Sequence, residues 1–289
     1  MAPRVAAWVA WAAWTCNTGC GLRAERTKVL RLSDYSQRKR AFWPAFFMAT
    51  MGGSAFVRLQ EESNCGERSM LLEVDHAFIA CAHEAPEGDA LLRLGFVEGS
   101  RNTHPGQGTA NRRFYFENFM LELIWVANAA EAQSAQTRRT RLWERWSQRQ
   151  SGVSPFGIVF RAAGDQDSAA PFPTWAYYPS YLPPGLAIQI AEETTLQEPE
   201  LFYLPFLKMP GVRAAEPLNH AAPIRRVRSL KVGVPNLPEI SHASRVVESQ
   251  RLVRYFQSQQ PILEILFAAA TDLVVDLRPA LPLLFRGVS

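Results

Sequence analysis

The chain has 289 residues, 47% of them apolar and 20% charged, which excludes a mostly disordered protein and leaves room for one large or two small domains. Four cysteines are too few for a disulfide scaffold, and only Cys81 lies beyond residue 65, which points to a reducing, cytoplasmic setting. The net charge of +4 is unevenly spread: residues 1–69 carry +5 and residues 70–289 carry −1. Phosphate recognition needs clustered positive charge, so nucleic acid is excluded as a partner of the larger part.

Residues 1–69 hold two uncharged apolar runs, 5–14 and 41–57. The first lacks small residues where a signal peptidase would cut, because Trp14 and Thr15 stand there. The second follows the basic cluster Arg38, Lys39 and Arg40 but is short for a membrane span and is broken by Pro44, Gly52 and Gly53. The reading preferred is a poorly ordered extension, or upstream sequence joined by a wrong start before Met70; membrane attachment is the minority alternative.

An apolar strand is expected over 71–81, then a helix from about Pro86 to Leu94, with proline tolerated in its first turn and Gly95 as its stop. Residues 96–98 read as a second strand, 99–110 as a turn-rich loop, and 111–117 and 119–126 as two more strands around Asn118. The order is β-α-β-β-β. Residues 129–150 read as a helix that packs Trp143 and Trp146 on the core. Further strands are expected at 156–160, 186–190 and 201–206, around a Pro- and aromatic-rich stretch at 165–185.

A repeat then shows itself. The segment VRSLKVG (227–233) lies on VDHAFIA (74–80), and Val275-Asp276-Leu277 on Leu121-Glu122-Leu123. A helix at 238–250 and strands at 252–256, 262–267 and 272–277 complete it. The expectation is an α+β fold of paired β-α-β-β-β modules in a cupped sheet. The first module is 71–127 and the second 224–286, within a domain of 70–289. Residues 128–223 form a connection with strands of its own, in which a degenerate module is not excluded.

The carrying segments are VDHAFIA (74–80), HPGQGTAN (104–111) and MLELIW (120–125). With the element order, they resemble the glyoxalase-like domains of the vicinal oxygen chelate superfamily. The resemblance is strong over 71–127 and weaker to about 286. It implies a cupped sheet around a divalent metal (Zn, Fe, Mn, Co or Ni), with His76 and Glu122 at first-module ligand positions. The usual second histidine position holds Ser229, so at most His76, Glu122 and Asp276 remain as ligands, and Asp276 has Arg278 beside it as a simpler partner. The implied activity is lyase, isomerase or dioxygenase chemistry on a small oxygen-bearing molecule, with Glu122 as ligand or base. The alternative is a metal-free small-molecule binding protein with the same cup. A homodimer is kept open.

Other candidates follow from the residues. Glu122 alternates with Leu121 and Leu123, so it faces away from them. His104 could contact substrate or sit exposed in its loop. One of Arg112 and Arg113 is expected to face inward and grip an anionic group. Trp175, Tyr178 and Tyr181 either line an apolar pocket or cap the core.

Overall fold

A computed structural model describes residues 72–163, 169–207, 216–269 and 273–288. The chain divides into two units, Met1–Ser63 and Asn64–Ser289, and every described residue belongs to the second. The expectations for residues 1–69 lie outside the described residues. Among the described residues no helix is long and apolar enough to cross a membrane.

The first module forms as its sequence suggests. Strand β1 (Leu72–Ala80) leads to helix α1 (Gly88–Arg93), and Gly95 then takes φ +85° to end the helix. Strands β2 (Asn102–His104), β3 (Thr109–Tyr115) and β4 (Met120–Val126) follow. β4 returns parallel to β1, with β3 and β2 antiparallel beyond it. Residues 96–98 are not a strand, because the Val97 N–H donates to His220 Nδ1 instead of to a ladder. The sheet takes 102–104 in their place.

The second half of the cup is not where the repeat placed it. Strands β5 (Phe156–Ala162), β6 (Thr174–Tyr177), β7 (Ile188–Ala191) and β8 (Glu200–Tyr203) form it. β8 runs parallel to β5, and β7 and β6 continue antiparallel, which repeats the strand plan of the first module. β1 and β5 pair antiparallel at the centre, giving the order β2-β3-β4-β1-β5-β8-β7-β6. The cup is therefore closed by residues that read as connection.

The expected helix at 129–150 is divided into α2 (Ala129–Ala132), a 3-10 turn over Arg138–Thr140 and α3 (Leu142–Ser147). Arg141 interrupts it with a left-handed backbone (φ +55°). Trp146 packs on the core, donates to the Cys81 carbonyl at 2.8 Å, and carries Trp143 against it.

Residues 227–288 form a separate sheet: β9 (Val227–Val234), α4 (His242–Ser249), β10 (Val253–Gln257), β11 (Ile262–Ala268), β12 (Leu273–Asp276) and β13 (Leu283–Val288). Its order is β10-β9-β11-β13-β12. One apolar core joins the two sheets. It takes Ala77, Leu121, Leu123, Ile158 and Phe160 from the first, Leu230, Val232, Ile265 and Phe285 from the second, and Leu91 and Val247 from the helices. The opposite face of the first sheet, lined by Phe78, Ile124, Val159, Ile190 and Phe202, is the inside of the cup.

Candidate functional site

Alternation places His76 beside Phe78 and Ala80 on the cup side of β1, and Glu122 beside Ile124 on that of β4. A bulge between Val74 and His76 leaves Asp75 out of the β1–β5 ladder. Bulges of this kind re-aim side chains near functional sites. The freed Asp75 carboxylate meets His76 Nδ1 at 2.7 Å and is held by Arg161 of β5 at 3.3 Å, while Arg161 also pairs with Glu73 at 2.7 Å. Nδ1 is thereby committed to Asp75, and Nε2 faces the other way, toward β4.

That Nε2 lies 3.8 Å from Glu122 Oε2. The other carboxylate oxygen, Oε1, accepts from the Asn111 side-chain amide. Asn111 is fixed in that orientation because its Oδ1 accepts the Asn102 N–H at 2.9 Å. Each member of the pair thus has one atom committed and one facing the other. The side chains are 14% and 7% exposed.

His104 stands next to this pair rather than in an exposed loop. Gly106 and Gly108 take φ +80° and +75° to turn the β2–β3 hairpin. His104 Nδ1 lies 2.9 Å from Thr109 Oγ1, and its Nε2 lies 3.3 Å from the Asn102 amide nitrogen. Gln107 donates to the same Thr109 oxygen at 2.8 Å, and the Tyr181 hydroxyl donates to Gln107 Oε1 at 3.0 Å. The Tyr181 ring packs on His104 at 4.9 Å. Burial is the main cause that holds the His104 imidazole below its ordinary value, against the pull of the Glu122 carboxylate. Both ring nitrogens are engaged, so His104 buttresses the site.

Tyr177, at the end of β6, was missed as a site residue. Its ring is buried in the cup, and among the described residues its hydroxyl has no hydrogen-bond partner. Burial pushes its pKa up to about 12, so it remains a proton donor. The hydroxyl of its neighbour Tyr181 is likewise pushed up by burial. Tyr178 faces away and is 60% exposed, which removes it from the site. One residue along an extended segment reverses the face. Trp175, two residues before Tyr177 on the same face of β6, packs against the cup's apolar cluster with its ring 6.0 Å from that of Tyr177, and the Arg139 guanidinium covers it 4.4 Å from the centroid.

Neither arginine reaches the cup's acid–base pair. Arg112 is on the core side of β3, spent on Glu98 (2.6 Å), Asp89 (3.0 Å) and the Ala85 carbonyl (2.9 Å). Arg113 reaches the rim, where it donates to the Ser100 carbonyl and hydroxyl, each at 2.6 Å. Asp276 is on β12 of the other sheet, exposed and paired with Arg278 at 2.5 Å, so the ligand trio does not assemble.

The residues present do not fit a resident divalent metal. A catalytic zinc-type site draws three protein donors. Here two converge, and among the described residues no group of three His, Cys, Asp or Glu side chains does so. The second half offers Val159 directly opposite His76. Its cup-facing carboxylate, Glu200, is already committed to Arg141 at 2.7 Å, Arg145 at 3.1 Å and the Thr194 hydroxyl at 2.6 Å.

The cup is tightly filled around Phe78. The Phe78 ring lies where a Cβ on Gly157 would be, 2.1 Å from that position, and packs on Phe202 at 5.6 Å. A void of about 10 Å3, lined by Phe78, Ala80, Thr109 and Trp146 among others, remains at one end of the cup.

Among solved structures the chain is similar to a hypothetical protein from Staphylococcus aureus, at 12% identity and a TM-score of 0.42, over 76% of this chain and 99% of that one. It is also similar to a mutant of 4-hydroxymandelate synthase from Streptomyces coelicolor, at 12% identity and a TM-score of 0.35, over 74% of this chain and 61% of that one. No curated protein matches. A family model, the glyoxalase-like domain, matches residues 74–245, which span both halves of the cup and reach into α4. More than half the chain is covered, and the chain belongs to the glyoxalase-like domain family of the vicinal oxygen chelate superfamily.

Proposed function

We propose that the cup, whose void of about 10 Å3 widens by movement of the side chains that fill it, binds a small organic molecule bearing adjacent hydroxyl and carbonyl oxygens, and that His76 and Glu122 handle its proton without a protein-held metal. The observation that carries this is the facing of His76 Nε2 and Glu122 Oε2 at 3.8 Å, each with its other polar atom fixed from behind. In the proposed resting state the ring proton sits on Nδ1 against Asp75, so Nε2 and Oε2 both accept and a proton donor binds between them. A substrate hydroxyl supplies that donor. The unpartnered Tyr177 hydroxyl supplies the complementary group, a donor for a carbonyl oxygen.

The pair supports proton transfer of the isomerase or lyase kind. His76 takes a proton on Nε2, and the resulting imidazolium is stabilised by Asp75 at one nitrogen and Glu122 at the other. Arg161 holds Asp75 in place at 3.3 Å. Apolar Phe78, Val159 and Phe202 keep the surroundings dry, which strengthens these interactions.

The test is a binding screen of α-hydroxycarbonyls, vicinal diols and dicarbonyls on the full chain, with metal content measured by elemental mass spectrometry. Binding is expected without stoichiometric metal, and its loss in Glu122→Gln and His76→Ala variants that keep the wild-type circular dichroism. Stoichiometric metal released by Glu122→Gln overturns the metal-free reading. Unchanged binding in both variants removes the pair from the site.

A further inference from the structure

The five-stranded sheet repeats the cup's plan in shortened form. β10 is parallel to β9 as β4 is to β1, and β9 is antiparallel to β11 as β1 is to β5. β13 is parallel to β11 as β8 is to β5, and β12 lies antiparallel outside β13 as β7 does outside β8. The counterparts of β2, β3 and β6 are missing. Helices α1 and α4 both pack into the shared core. The face of the second sheet turned away from that core therefore corresponds to the inside of the cup.

This face holds a groove of about 390 Å3 lined by Lys231, Arg254, Tyr255, Phe256, Glu264 and Arg286. Its chemistry is the reverse of the cup's. On β4, Glu122 stands beside Phe78 of β1; on β10, Arg254 stands beside Lys231 of β9. Glu264 of β11 is next in the row, and it is taken by Arg286 at 3.1 Å. Among the described residues neither Lys231 nor Arg254 has an ion-pair partner. Like charges side by side on neighbouring strands repel, and Glu264, opposite Lys231 on β11 but paired with Arg286, offsets this only in part, so an anion over the pair is favoured. Phe256, two residues after Arg254 on the same strand face, adds an apolar wall.

We infer that this groove is a second binding site, for a small organic anion whose carboxylate or phosphate is held by Lys231 and Arg254 and whose apolar part rests on Phe256. A guanidinium and an ammonium together grip such a group by charge-assisted hydrogen bonds. The site shares no residue with the cup, so it stands whether or not His76 and Glu122 act as proposed.

Calorimetric titration of the full chain with phenyl phosphate and with phenylacetate, at constant ionic strength set with sodium chloride, tests it. Saturable binding of at least one is expected, and the preferred probe identifies the anionic group. The double variant Lys231→Gln/Arg254→Gln is expected to weaken it about tenfold or more, the loss of charge-assisted contacts. Glu264→Gln is expected to strengthen it, and Glu122→Gln to leave it unchanged. Arg254 is exposed and Lys231 part-buried, whereas Glu264 is 12% exposed and paired with Arg286, so circular dichroism checks the fold of each variant. No binding of either probe, or equal binding by wild type and double variant, overturns the inference. So does binding of a single-stranded oligonucleotide through Lys231 and Arg254 with no response to either small anion.

Discussion

Tyr177 places a hydroxyl inside the cup with no hydrogen-bond partner among the described residues. An unsatisfied buried polar group costs about 1–3 kcal/mol, so Tyr177→Phe is expected to raise stability by about 1 kcal/mol in denaturant titration. The same variant is expected to weaken carbonyl ligands severalfold while leaving simple alcohols unaffected. A loss of stability, or an equal effect on both ligand classes, contradicts its role. Asp75 acts differently, through the tautomer it imposes on His76. Asp75→Asn is expected to keep the fold but to lower ligand affinity and to move the imidazole signals of His76 in nuclear magnetic resonance spectra. His76 and Glu122 could be read from strand alternation because a single residue's face depends only on its own strand. Asp75 and Arg161 could not, since their contact needs the bulge that β5 imposes across the ladder.

Single positions along the elements decide whether the cup closes. Gly157 sits near the start of β5, and a Cβ there would lie 2.1 Å from the Phe78 ring. Gly157→Ala is therefore expected to destabilise the protein by about 1–3 kcal/mol through overpacking, measurable as a lowered denaturation midpoint. Arg145 of α3 is fully buried and donates to Glu200 and to the carbonyls of Ser154, Thr195 and Glu198. Arg145→Met is expected to cost about 3–5 kcal/mol, because the buried Glu200 loses a cation. The first module was legible because its signals are long and regular: a nine-residue strand, a glycine stop and an alternating β4. The second half was not. Strands β6, β7 and β8 are four residues each, and among the described residues no helix separates β5 from β6. The late repeat was visible for a different reason. The second sheet is a shortened copy of the same plan, so its strands align with the first module although they build a separate layer.

The two sheets are joined by polar contacts as well as by the shared core. His220 accepts the Val97 N–H at Nδ1 and lies 2.7 Å from the Tyr115 carbonyl at Nε2, which requires the neutral ring. Glu198 accepts from the Ser241 and Ser244 hydroxyls at the start of α4. Asn118 both donates to and accepts from the backbone of Val227. Burial lowers the pKa of His220 and of His104 below the ordinary 6.5. A histidine that is harder to protonate when folded stabilises fully above its unfolded value, and that contribution is lost as pH falls through about 6.5 toward the folded value. Melting temperature is therefore expected to drop between about pH 7.5 and pH 5.5, and less steeply in His220→Gln. A flat profile in the wild type contradicts this.

The central β1–β5 pairing also sets an order of events during synthesis. His76 and Glu122 both belong to the first module and emerge from the ribosome before Arg161 does. Until β5 docks, Asp75 lacks the arginine that holds it, and the imidazole lacks the fixed partner that selects its tautomer. The half-made chain thus carries His76 and Glu122 without the support that orients them, and the proposed site is complete only once the second half has folded onto the first.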